Sequence, residues 1–137
     1  ETGAPSLHAL SCIDDAGRIV NPALAEAQIR GGLAQGVGEA LMEAVRLDAD
    51  GQVLTGSFLD YAMPRAADMP AVALDAMESP SPLNALGAKG LGEGGTIAAP
   101  PAILSAALDA LAPFGVRDLQ LPLTSQTLWQ AIREATA

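Results

Sequence analysis

Apolar residues at Ile29, Leu33, Val37, Leu41 and Ala44 recur with helical spacing and predict a helix from Asn21-Pro22 to about Val45. Asparagine is a favoured N-cap, and proline suits the first helical position. Gln28, Gly32, Gln35 and Glu39 fall on a different face. Gly31, Gly32, Gly36 and Gly38 run through the same helix. Each weakens it by roughly 1 kcal/mol relative to alanine. Such a cost implies close packing, against a neighbouring element or a ligand.

Upstream, Leu7 to Ile13 is mostly apolar and ends in the turn signal Asp14-Asp15-Ala16-Gly17, so it reads as a strand. Downstream, residues 44–47 and 52–55 flank Asp48-Ala49-Asp50-Gly51 and predict a hairpin, with 58–62 extending its second strand. Pro64 to Pro70 reads as irregular and Val72 to Met77 as a further strand. Ser79-Pro80-Ser81-Pro82 is held extended by its prolines. A second helix opens at Pro100-Pro101, buries Ile103, Ala107, Ala110 and Leu111, and stops at Pro113 and Gly115. Val116 to Leu121 reads as a short strand, and Thr124 caps a last helix through Trp129 and Ile132. The expected class is α+β, a small mixed sheet with packed helices. No internal repeat or linker divides residues 1–137, which form one segment. The first strand has no upstream hairpin partner, so the expectation is a portion of a larger domain.

At 137 residues the chain has about one domain's length. Aromatics are only 3%, so the core must come from Ala, Leu, Val and Ile. The net charge of −9 argues against nucleic acid, which needs basic patches. The acids are spread out, as on an ordinary solvated surface. Single Cys12 excludes an internal disulfide framework and a cysteine-based zinc site, and single His8 excludes a multi-histidine metal site within this chain. No apolar run is long enough to span a membrane. No targeting signal is visible, which points to the cytoplasm.

The most informative stretch is Gly87-Ala88-Lys89-Gly90-Leu91-Gly92-Glu93-Gly94-Gly95. Glycine permits close approach of the main chain to another molecule. Two readings stand on the residues alone. Glu93 is a base presented to a bound group, or the stretch is a solvated loop between a strand and a helix. A third, a nucleotide-phosphate loop, finds no Gly-Lys-Ser/Thr and no central strand before it.

Four stretches, in order and with matching spacing, carry a resemblance. They are residues 14–22, residues 26–41, Asp60-Tyr61-Ala62-Met63-Pro64, and Gly87 to Glu93. Together they resemble the C-terminal part of the molybdenum-cofactor subunit of the xanthine dehydrogenase, aldehyde oxidoreductase and carbon monoxide dehydrogenase superfamily. The resemblance covers essentially the whole chain. It implies that the chain is part of a larger molybdopterin-binding domain and is incomplete on its own. It implies that Glu93 is the base that takes the proton from the attacking oxygen. That oxygen comes from water, and two electrons leave through the metal. Such chemistry needs an ionised, largely desolvated carboxylate within hydrogen-bond reach.

The resemblance further implies that Gln28 contacts the cofactor, and that Lys89, Gly90, Leu91 and Gly92 offer main-chain groups to the pterin or its phosphates. The cofactor is a molybdenum–pterin, bare or as a cytosine dinucleotide. The 2Fe-2S and FAD centres belong to partner domains or subunits, and so does the remainder of the molybdenum subunit. The substrate is an aldehyde, an N-heterocycle or carbon monoxide. Gln35 is expected to pack or cap inside the fold. His8 and Cys12 are expected to be structural, and Asp14 and Asp15 to be turn residues. The competing reading is a non-catalytic binding or assembly module, since fold does not imply function.

Overall fold

The computed structural model describes residues 2–136. Five main elements follow one another: β1 (Ala9–Asp14), α1 (Pro22–Leu41), β2 (Ala71–Ala76), α2 (Ala99–Leu111) and α3 (Ser125–Ala135). Short 3-10 turns lie at Ala66–Asp68 and Ala112–Phe114. The α+β class stands, with helices packed on a small sheet. Among the described residues that sheet is two parallel strands rather than mixed, with Ala9 opposite Ala71 and Asp14 opposite Ala76. Parallel pairing requires a crossover, and α1 with the irregular segment after it supplies one.

The Asn21 side chain accepts from the Leu24 amide at 3.2 Å and caps α1 as expected. Ile29, Leu33, Val37 and Ala40 are buried along it. The helix ends at Leu41, short of Val45, because the Met42 and Glu43 amides both return to the Gly38 carbonyl, at 2.9 and 2.8 Å. Ala44 therefore lies beyond the helix, half-buried.

Two apolar clusters meet along α1. One joins Val37 and Ala40 to Ile103, Val116, Leu119, Leu123 and Leu128. The other joins Ile29, Leu33 and Ala99, with Cys12, Val72, Leu74 and Leu91 packed against them. The second cluster lies beside the glycine stretch and fixes its distance from α1.

Three expectations about strands are corrected. The 48–51 turn forms, but its flanks make only an isolated bridge, Leu47 to Val53. Val45, Leu47, Val53 and Leu54 are all exposed, so no buried face extends the ladder. Residues 58–62 form no strand, because the Asp60 and Tyr61 amides turn back to the Ser57 carbonyl. Residues 116–121 also form no strand. Val116 and Leu119 bury their side chains against the helices without a neighbouring strand, and the Leu123 amide donates to the Ala40 carbonyl at 2.7 Å. In α2, Ile103 is buried and Ala107 and Leu111 are half-buried, whereas Ala110 is exposed.

Candidate active site

The glycine stretch crosses from β1 to the start of α2 and is held from both sides. Its first half lies against the turn that follows β1. Gly17 and Ala88 form an isolated bridge, the Arg18 amide donates to the Gly87 carbonyl at 2.9 Å, and the Lys89 amide donates to the Ala16 carbonyl at 2.9 Å. Gly17 has a φ of 62°, and a β-carbon there would overlap the Gly87 carbonyl oxygen. Only glycine meets both demands. Asn84 adds a brace, donating to the Ala88 carbonyl at 2.9 Å and accepting from its amide at 3.2 Å.

The second half lies on α1. A β-carbon at Gly32 would overlap the Gly94 carbonyl oxygen. One at Gly36 would stand 2.6 Å from the Ala99 β-carbon. Gly95, at φ 80°, backs onto the Ile29 carbonyl, which its β-carbon would meet at 2.5 Å. The helix glycines thus let the loop and the start of α2 come close. Gly31 has no such reason: nothing among the described residues lies within 4 Å of its missing β-carbon.

Gln28 is brought to the loop. Its Nε2 donates to the Gly92 carbonyl at 2.7 Å, across 64 residues of sequence. Leu91 packs on the Ile29, Leu33 and Ala99 cluster. Gly90 and Gly92 are exposed, with open space where their β-carbons would stand. Among the described residues, the amides of residues 90–93 donate no hydrogen bond, and the Glu93 carboxylate makes neither a hydrogen bond nor an ion pair. Glu93 is exposed at the edge of a cleft of about 440 Å³. Cys12, Asp14, residues 90–95 and Ile97 line it.

Sequence reasoning underrated Asp15. Its carboxylate accepts from the Gly17 amide at 2.8 Å, the Ser79 amide at 3.1 Å, the Ser79 hydroxyl, and Lys89 Nζ at 2.8 Å. The Lys89 and Ser79 contacts, with the turn amides, hold its pKa well below the usual carboxylate range. The Asp-Ala-Gly turn is a local signal for the Gly17 bond. No local signal links Asp15 to residues 64 and 74 positions away.

Cys12 is half-buried and donates to Asp14 Oδ2 at 2.9 Å. Burial, then the Asp14 carboxylate, pushes its thiol up to about 11. A thiol held protonated in this way is a poor nucleophile. His8 precedes β1 and is exposed, and Gln35 is exposed rather than inside the fold. Tyr61 is not brought to the loop; its hydroxyl donates to Glu43 Oε2 at 2.7 Å near the end of α1. Among the described residues no three His, Cys, Asp or Glu side chains group as metal ligands, and no helix is long and apolar enough to cross a membrane.

The sequence profile of the molybdopterin cofactor-binding domain family matches residues 1–70, half of the chain. The chain is 41% identical over 132 residues to the nicotine 6-hydroxylase large subunit of Paenarthrobacter nicotinovorans, covering 96% of this chain and 16% of that protein. It is 35% identical over 133 residues to the carbon monoxide dehydrogenase large chain of Hydrogenophaga pseudoflava, covering 97% of this chain and 17% of that one. The crystal structure of quinoline 2-oxidoreductase from Pseudomonas putida 86 superposes with a TM-score of 0.93 at 38% identity, over 97% of this chain and 17% of that one. The chain thus spans about a sixth of the length of the proteins it matches.

Proposed function

Because the chain belongs to the molybdopterin cofactor-binding domain family, we propose that it supplies the catalytic base and pterin contacts of a molybdenum hydroxylase, with Glu93 as the base. One observation carries the reading. Glu93 carries an unpaired carboxylate in a loop whose flanking main chain is fixed on both sides, while the amides of residues 90–93 stay unused.

The residues fit a flat, phosphate-bearing organic group. The open space at Gly90 and Gly92 admits it without a side-chain clash. The amides of residues 90–93 suit its oxygens and ring acceptors. Lys89 has already committed its amide to Ala16, so it offers its carbonyl. Gln28 uses one N–H on Gly92, which leaves its Oε1 and second N–H for the pterin. When bound, the molybdenum–pterin group, bare or as the cytosine dinucleotide, supplies two-electron redox chemistry. The protein's part is position and proton transfer. Glu93 Oε accepts the proton of the water-derived oxygen as that oxygen attacks the substrate carbon. The exposure of Glu93 in this segment means that the rest of the subunit and the bound group must exclude water from it.

The substrate is an aldehyde, an N-heterocycle or carbon monoxide. The pocket that chooses among them lies on the remainder of the subunit, and iron–sulfur and FAD centres on partner domains or subunits carry the electrons away. Many large apolar side chains are exposed, among them Phe58, Leu59 and Leu83 at 89, 94 and 92%. Such a surface supports burial by a partner.

The test is Glu93→Gln in the intact enzyme. Removing a general base lowers turnover by about 100-fold or more. Molybdenum and pterin content is expected to stay at the parent level. Unchanged turnover would leave a non-catalytic binding or assembly module.

A further inference from the structure

The geometry points to Asp15, Ser79 and Lys89 as a polar clamp that fixes the start of the glycine loop, which makes the Lys89 side chain a positioning group for Glu93 rather than a contact of the cofactor. The inference rests on the reading above for one thing only, the assignment of Glu93 as the base.

Lys89 Nζ lies 2.8 Å from Asp15 Oδ2 and 2.8 Å from Ser79 Oγ. Two of its three N–H groups are therefore spent within the chain. The same carboxylate also accepts from the amides of Gly17 and Ser79. One side chain thus ties together three separate segments: the turn after β1, the segment after β2, and the loop. The main-chain bonds of Arg18 to Gly87 and Lys89 to Ala16 run alongside and share the load.

The need for a clamp follows from the loop's composition. Ordering a backbone residue costs about 1–2 kcal/mol, and glycine loses the most freedom. Between Lys89 and Glu93 stand two glycines and Leu91. Three anchors act on this span: the clamp at Lys89, Leu91 in the apolar cluster, and Gln28 on the Gly92 carbonyl. Removing the first leaves the loop upstream of Leu91 held by main-chain bonds and the Asn84 brace alone, and the looser span lets Glu93 shift.

The test uses the intact protein that carries this segment. Lys89→Met, Ser79→Ala and Asp15→Asn each open the clamp, while Lys89→Arg keeps a cation in reach of Asp15. The first readout is hydrogen exchange of the bonded amides of Arg18, Lys89 and Gly94 in cofactor-free protein. Exchange is expected to rise about tenfold, the scale of one half-exposed charge-assisted bond, in each of the three opening variants and to stay near the parent rate in Lys89→Arg. The Asp15→Asn, Lys89→Met pair is expected to go no further, because both substitutions break one contact. In loaded protein kcat falls with KM and molybdenum content held, and Lys89→Arg restores kcat. Unchanged exchange in Lys89→Met overturns the clamp. Additive effects of the pair overturn it too, as does molybdenum loss in Lys89→Met with Asp15→Asn unaffected. Should Glu93→Gln keep full turnover, the catalytic reading fails, while the exchange measurement still judges the clamp.

Discussion

Gly31→Ala and Gly32→Ala are adjacent substitutions on α1 with opposite expected outcomes. Helix propensity alone favours both, by about 1 kcal/mol. At Gly31 nothing among the described residues lies within 4 Å of the added methyl, so the gain is kept. At Gly32 the methyl would overlap the Gly94 carbonyl oxygen and stand 3.0 Å from the Thr96 nitrogen. Both are backbone atoms, and no side-chain rotation relieves the clash. The loop must retreat by on the order of 1 Å, and overpacking of this kind costs about 1–3 kcal/mol. Set against the propensity gain, the net loss is up to about 2 kcal/mol. The larger effect falls on activity. Glu93 adjoins Gly94, and a displacement of about 1 Å in a positioned group lowers turnover by about 100-fold. Thermal unfolding and turnover per bound molybdenum, measured on the same preparations, separate the two effects. Gly32→Ala protein that is as stable as Gly31→Ala and turns over at the parent rate would refute the packing argument.

Other outcomes follow from the same structure. Cys12, with its thiol pushed up to about 11, is expected to alkylate much more slowly at pH 8 than a free thiol, and Asp14→Asn to speed it; parent-rate labelling would contradict the assignment. Asp15 has a folded pKa below its ordinary value of 3.8, so its contribution is complete above about that pH and is lost as pH falls through the lower folded value. The thermal-stability gap between the parent and Asp15→Asn should therefore close below pH 3.8, and a gap that widens on acidification would reverse the sign. Leu123 is among the most buried side chains. Leu123→Ala is expected to cost about 2–5 kcal/mol in denaturant unfolding, with turnover per folded molecule unchanged.

Sequence alone determined the features whose causes are local. Asn21-Pro22 starts α1, its apolar stripe faces the core, and Thr124 accepts from the Thr127 amide to cap α3. The dense glycines of α1 and of residues 87–95 announced close approaches, and the four ordered stretches pointed to the family. What sequence missed depends on what lies opposite. The 48–51 turn closes from its own residues, as Asp48 accepts from the Asp50 and Gln52 amides, both at 2.9 Å. A strand needs a face to bury, and none is there, so propensity around it came to nothing. Gln28 and Gly92 meet, and Asp15 joins Ser79 and Lys89, because β1, α1 and β2 fold those segments together. Side-chain contacts across 60 or more residues leave no periodicity in a chain, so only the tertiary structure decided which polar groups hold the loop and which acid it leaves unpaired.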